Sequence, residues 1–447
     1  MDVRTANKTI VGADNEQSVE AKRKNAIKGA FFSEFIDMFD IYLPVVVLTP
    51  TLFFFQPAHL SAGMEAILAS LVFVTTLLGR PFGALLFGTM ADRLGRRMAS
   101  IYSVLGFGVV TLLIALLPGY ETIGILSYCL LVLLRFFDGI FLGGGYTSAI
   151  PLAFEYSKKD RRGFVVGLII SGFPAAYVTI NLVAMLMFAI FPLHGVHSPY
   201  AQWGWRIPFV IGAILAGILA LHYVFNVSES EIWKSETNEG RETLPLSDMV
   251  RGRNGRNLLQ VLLLMTGFWL TQNIITIFVP TVLLVHWLHL TGFEMSSTLL
   301  VSYALLSFSY IGSGMLGQKI GRRRFFIITG PVIATVGAAL MYLLASGRGL
   351  SLPMIILLVS VLAVIVTSPW GVIMTYINER FVTDVRATGF GIAFSFSIIL
   401  PSFYAFYMNW LGRIMPLHLT PAVLLCLGGL IGMLGAILGP ETKNVDF

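Results

Sequence analysis

Long apolar runs separated by short polar turns fill this chain of 447 residues. A helix needs about 20 residues to cross the hydrocarbon core of a bilayer. Runs of that size start near Ala30, Gly63, Met98, Thr122, Phe164 and Arg206, and again near Asn257, Met295, Phe325, Leu352, Arg386 and Thr420. The pattern predicts an all-α membrane protein with twelve transmembrane helices in two pseudo-symmetric six-helix bundles, 30–227 and 257–439. Between them, residues 228–256 form the longest polar stretch in the body of the chain. It holds Glu229, Glu231, Glu236, Glu239, Arg241 and Glu242 and reads as a linker. Residues 1–29 and 440–447 read as polar tails. The first has no evident cleavable signal and is expected to lack order up to about Val19, because it has little apolar surface to bury.

The halves also share short signatures. Gly88-x-x-x-Asp92-Arg93-x-Gly95-Arg96-Arg97 recurs as Gly314-x-x-x-Gln318-Lys319-x-Gly321-Arg322-Arg323, and a Glu, six residues, Arg element occurs as Glu155 with Arg162 and as Glu379 with Arg386. A chain that repeats itself at half its length, with basic turns between apolar runs, reads as a two-halved membrane transporter.

Composition agrees with this. The chain is 56% hydrophobic and 12% charged, against about 25% charged in soluble domains. The net charge of +6 sits in short loops and not on one face, so it points to the membrane surface and not to nucleic acid. Of 30 Lys and Arg, 25 fall in the tails, the linker and the loops after spans two, four, eight and ten. Arg206, Arg348 and Arg413 fall opposite, while Arg80 and Arg135 lie inside spans. By the positive-inside rule both termini are cytoplasmic. Cys129 and Cys426 stand alone in apolar runs, so neither a disulfide nor a metal site is indicated. No cofactor is expected, and a monomer in the lipid bilayer suffices.

A charge at the bilayer centre costs about 2.5–3.5 kcal/mol on insertion scales, so each calls for a reason. Six occur, all in the first half: Glu34, Asp37 and Asp40 in span one, Arg80 in span two, Arg135 and Asp138 in span four. The three carboxylates of span one share an arc of about 120°. Arg135 is the expected partner of Asp37 or Asp40, and it also lies three residues from Asp138. One reading is a static ion pair that fixes helix register. The other is a carboxylate that gains and loses a proton as its pairing changes, driven by the proton gradient. Arg80 precedes Pro81 and is expected to snorkel towards the headgroups.

Substrate would bind near the midplane, between the halves. In span seven, Thr266, Trp269, Gln272, Asn273 and Thr276 share one face, and Tyr303 and Tyr310 in span eight add hydroxyls. Arg135 is the expected midplane cation for an anionic solute. In the loops, Gly88 and Gly95 permit a tight turn, and Asp92 can accept hydrogen bonds from the start of a neighbouring helix. With Arg93, Arg96, Arg97, Glu155 and Arg162, and Arg322, Glu379 and Arg386 from the second half, it would form a cytoplasmic latch.

These signatures resemble the major facilitator superfamily from about Ala30 to Lys443. Arg135-Phe136-Phe137-Asp138-Gly139 resembles its span-four motif, which is linked to proton coupling. Pro440-Glu441-Thr442-Lys443 resembles the sugar-porter branch. Closer are elements of the metabolite:proton symporter branch: Glu34-Phe35-Ile36-Asp37, Trp203-Gly204-Trp205-Arg206-Ile207-Pro208-Phe209, and Glu379 to Gly389. The resemblance implies proton-coupled uptake of a small organic acid or zwitterion across the plasma membrane, a bacterial cytoplasmic membrane in particular. Val382 replaces the branch's proline, Ser228-Glu229-Ser230-Glu231 replaces the sugar-porter Pro-Glu-Ser-Pro, and Thr271-Gln272-Asn273 replaces the double Gln that grips sugars, which argues against a sugar. A passive facilitator or exchanger, or a receptor that transports nothing, are the alternatives. An enzyme is not expected, since neither His-Glu-x-x-His nor Gly-x-Ser-x-Gly occurs.

Overall fold

A computed structural model describes residues 3–57, 60, 62–238, 250–346 and 349–445. Glu239, Arg241 and Glu242 of the linker, and Arg348, lie outside the described residues. Every regular element among those described is helical. Among the described residues, eleven helices are long and apolar enough to cross a membrane. They are α2 (Leu71–Leu94), α3 (Arg96–Ala115), α4 (Leu126–Glu155), α5 (Lys159–Ile190), α6 (Tyr200–Asn226), α7 (Gly252–Trp287), α8 (Gly292–Ile320), α9 (Arg322–Ser346), α10 (Leu352–Arg380), α11 (Arg386–Leu411) and α12 (Leu417–Leu438). Before them runs α1 (Val3–Leu43). Three carboxylates in seven residues lower the hydropathy of its apolar run from Ala30, and it falls outside that set.

The N-terminal tail differs from expectation. It is helical from Val3 and continuous with the apolar run. From Val19 to Lys28 no Gly or Pro interrupts the strong helix formers Glu20, Ala21, Lys22, Arg23, Lys24 and Ala26. Tertiary contacts hold this stretch. Asn25 Nδ2 donates to the Asn226 carbonyl at the end of α6 (3.0 Å), and Lys22 pairs with Glu231 (3.1 Å).

Apolar side chains cover the outside of the helices as well as the inside. Val210, Ile214, Ile218, Leu221 and Phe225 of α6 are exposed at three- and four-residue spacing, and Leu105, Val109 and Leu112 of α3, with Leu116 just past its end, repeat the pattern. A helix that is hydrophobic all round suits lipid on one side and protein on the other. Within the first half α2 packs on α4, α3 on α4 and α6, and α1 on α5. Within the second half α7 and α9 pack on α12, and α8 on α10. The main contacts across the halves are α2 with α11 and α5 with α8. The second pair follows from the first by a shift of six helices. There the backbones touch: a Cβ built on Gly163 would lie 2.3 Å from the Gly314 carbonyl oxygen, and one built on Gly314 would lie 2.2 Å from that of Gly163.

Candidate functional site: a central cavity and a basic-face latch

Two regions lie on the seam between the halves, one at mid-depth and one at the Arg-rich ends of the helices. The mid-depth region is a cavity of about 50 Å³. The first half supplies Glu34, Met38, Tyr42, Arg80 and Phe173 to its wall. The second half supplies Trp269, Gln272, Asn273, Thr276, Tyr310, Trp370 and Phe394. Trp269, Gln272, Asn273 and Thr276, the face of α7 read from the sequence, thus share one side of the cavity. Thr266 lies outside the wall and donates to the Ser397 carbonyl (3.4 Å). The backbone of α7 changes where these residues sit. From Ile274 to Trp287 it widens into π turns, and Pro280 within them has no N–H to give the ladder. Such turns inside helices often mark functional sites. Trp269 Nε1 donates to the Phe394 carbonyl (3.0 Å) and its ring meets that of Trp370 at 4.4 Å, so it offers a ring face to the cavity.

Arg80 is a correction. It is 2% exposed and does not snorkel. Its Nη2 donates to Asp37 Oδ2 at 2.6 Å, and its guanidinium lies over the Tyr146 ring at 4.8 Å. Pairing with a carboxylate inside the protein removes the need to reach headgroups. Arg135 pairs as expected with Asp40 (3.3 Å) and Asp138 (3.0 Å) and donates from Nε to Thr76 Oγ1 (3.1 Å), but it is not on the cavity wall. Thr111 donates to the other oxygen of Asp40 at 2.7 Å. The cation that reaches the cavity is therefore Arg80. Tyr303 also lies off the wall: its ring stacks on Tyr177 at 4.1 Å, and Tyr177 meets Tyr42 edge-on at 5.0 Å. These three rings separate the cavity from a wider space of about 570 Å³, lined by Thr49, Tyr177, Asn181, Thr281 and Ser296, at the ends of the helices away from the basic loops.

At the basic face the candidate latch residues pack together across the halves. Asp92 accepts from the backbone N–H of Ala387 (3.3 Å) and Thr388 (2.9 Å) and from Thr388 Oγ1 (2.7 Å). These groups start α11, where orphan N–H groups and the helix dipole favour an anion. Gly88 lies against the same turn: a Cβ there would meet Thr388 Cα at 2.9 Å. Arg96, fully buried, pairs with Asp92 (3.3 Å) and Glu155 (3.5 Å) and donates to the Thr383 carbonyl (2.8 Å). Arg386 pairs with Glu155 across the halves at 2.7 Å. Arg162, expected beside Glu155, instead donates to the Val445 carbonyl at 2.9 Å and covers the Phe154 ring. Arg93 is exposed. Arg97 donates to the carbonyls of Tyr223 (3.0 Å) and Val224 (2.6 Å), the unpaired acceptors near the end of α6.

The second copy repeats the plan. Gln318 accepts from the Gly163 N–H (3.1 Å) and donates to the Lys159 carbonyl (3.1 Å), and Arg322 pairs with Glu379 (3.1 Å). Gly95 and Gly321 hold φ of 103° and 104°, a region that L side chains avoid. Two residues missed by the sequence reading finish the motif. Glu229 accepts from the backbone N–H of Arg96 and Arg97 (both 3.0 Å), and Glu441 from those of Arg322 (2.7 Å) and Arg323 (3.1 Å). Burial pushes the Glu229 carboxyl up from its ordinary range, and these hydrogen bonds pull the other way. Their signal was positional: each lies a few residues beyond the last turn of the sixth apolar run of its half.

Residues 30–405 match the sequence family described as Major Facilitator Superfamily. The chain belongs to that superfamily. It is therefore a multi-pass membrane transporter and not an enzyme, and transporters of this superfamily need no cofactor. Among its relatives is the inner membrane metabolite transport protein YhjE of Escherichia coli K12, 26% identical over 98% of this chain and 99% of that protein. The proline/betaine transporter of the same organism is 27% identical over 95% of this chain and 85% of the other. Its alpha-ketoglutarate permease is 27% identical over 87% and 88%. Among solved structures, the proton:xylose symporter XylE superposes with a TM-score of 0.75 at 18% identity, over 95% of this chain and 97% of that one. At that identity the match speaks for the superfamily fold alone.

Proposed function

We propose that this superfamily member is a proton-coupled symporter that takes up a small organic acid or zwitterion by alternating access. The apolar run of α1 serves as the twelfth span, and two six-helix bundles rock about the central cavity. The basic face is the cytoplasmic one, with both termini there. The observation that carries this reading is the set of buried ion pairs beside the cavity, Asp37 with Arg80 and Asp40 and Asp138 with Arg135. Ionised, Glu34, Asp37, Asp40 and Asp138 bring four negative charges against two positive ones, so the cluster has places for protons within the first half. Such groups at membrane depth mark ion and proton paths by default. The relatives named for proline, betaine and alpha-ketoglutarate support a solute with a carboxylate.

The test is uptake into proteoliposomes with and without an inward proton gradient. A symporter accumulates solute above the outside concentration only when the gradient is present. Accumulation-free equilibration that ignores the gradient would replace this reading with that of a passive facilitator.

A further inference from the structure

We propose that Arg80 and Glu34 together select a zwitterion: a small solute with one carboxylate and one cationic centre. The proposal rests on the reading of the cavity as a substrate site and deepens it.

The wall of the cavity holds one guanidinium and one carboxylate, both from the first half. Arg80 already spends Nη2 on Asp37, and among the described residues its Nε has no hydrogen-bond partner. On the second half's part of the wall, Asn273 Nδ2 and Trp370 Nε1 are likewise donors without a hydrogen-bond partner among the described residues. A buried donor without an acceptor is costly, and three around one space call for an anion with several lone pairs. A carboxylate fits, since a guanidinium takes it in a planar fork. It would be shared between the halves, which ties binding to their approach.

Glu34 sets the other end. It is 3% exposed, one of its carboxylate oxygens has no hydrogen-bond partner, and it lines the same cavity. With Asp37 neutralising Arg80, an ionised Glu34 leaves the wall one negative charge in excess. A second carboxylate on the solute would meet that charge in a poorly screened space, whereas an ammonium would be drawn to it. The aromatic wall of Tyr42, Trp269, Trp370 and Phe394 suits the same cation, because ring faces attract a desolvated ammonium. The entering carboxylate also competes with Asp37 for Arg80. A solute that takes over the guanidinium leaves Asp37 without its partner and ready for a proton, so selection and coupling meet on one side chain.

The experiment is counterflow in proteoliposomes, without any proton gradient, using glycine betaine and proline as zwitterions and 2-oxoglutarate as the dicarboxylate. For the wild type, zwitterion counterflow exceeds dicarboxylate counterflow by about tenfold, which corresponds to about 1.4 kcal/mol. E34Q removes the excess charge and reduces that preference at least severalfold. R80A loses counterflow of all three, while R80K, which keeps the charge without the fork, retains part of it. Size-exclusion and melting profiles that match the wild type show that the variants fold. Dicarboxylate counterflow equal to or above that of the zwitterions, counterflow of none of the three, or an unchanged preference in E34Q overturns the proposal. The first of these leaves proton-coupled transport standing. Zwitterion counterflow with no gradient-driven accumulation removes the coupling instead and leaves the selection in place.

Discussion

Asp92 and Gln318 occupy equivalent positions in the two copies of the loop signature, and they meet the opposite half differently. Asp92 accepts three hydrogen bonds from the first turn of α11. Gln318 accepts one across the halves, from Gly163 near the start of α5, and gives one to the Lys159 carbonyl in the first turn of that helix. The mid-depth walls divide the same way: the first half presents Glu34 and Arg80, and the second presents no charged group. A duplicated frame thus carries unequal chemistry. Under the proposed mechanism the charged half holds the proton sites and the solute's ionic contacts, and the neutral half adds hydrogen-bonding groups and rings.

The largest expected effect tests that division at mid-depth. Asp37→Asn should abolish uphill accumulation while leaving counterflow measurable, because the amide keeps the shape and loses the proton site. A variant that concentrates solute as the wild type does would move the coupling to Asp40 with Asp138, or to Glu34. Its opposite number is Asn273→Ala, which should weaken solute binding by about tenfold, the value of roughly one hydrogen bond to a charged group, with the accumulation ratio at saturating solute unchanged. A fall in that ratio would mean that the neutral half also couples.

At the basic face the comparison predicts graded effects. Hydrogen bonds to a charged group contribute about 1.5–3 kcal/mol and neutral ones about 0.5–1.5. Asp92→Asn should therefore open the basic side by at least about tenfold in population, read as faster labelling of a cysteine placed beneath the latch. Gln318→Ala should give a smaller rise, of about threefold, in the same assay. Equal labelling rates in the two variants would show that the charge of Asp92 adds nothing to the latch.

The sequence showed those parts of the site that depend on spacing along one helix. The α7 face could be read from a 3.6-residue period, and Asp92 from the glycines and arginines around it. Pairing between helices was not readable in this way. Asp37 and Arg80 are 43 residues apart, and no periodicity tells which of two arginines a carboxylate will face. Pro81 beside Arg80 suggested a stem lying towards the headgroups, and only packing on Tyr146 shows it held inside. Glu155 likewise pairs with Arg386 from the other half and not with Arg162 seven residues on, because the interface brings the start of α11 closer. Glu229 stood out only as a departure from a proline-rich motif, yet its carboxylate meets the same backbone groups as Glu441. The tail misled by composition: its charges are compatible with helix, and docking on Asn226 and Glu231 supplies the contacts it lacks alone.

The backbone contact between Gly163 and Gly314 has a practical side. Backbone meets backbone there, with the Gln318 side chain alongside, and a methyl group on either glycine acts as a doorstop. Gly314→Ala leaves unhindered any state in which α5 and α8 stand apart and obstructs the one in which they touch. A single carbon atom would then give a protein arrested on one limb of its cycle. With such a protein, solute affinity could be measured for one orientation at a time, and a crystallographer would have a homogeneous sample of the state in which these helices stand apart.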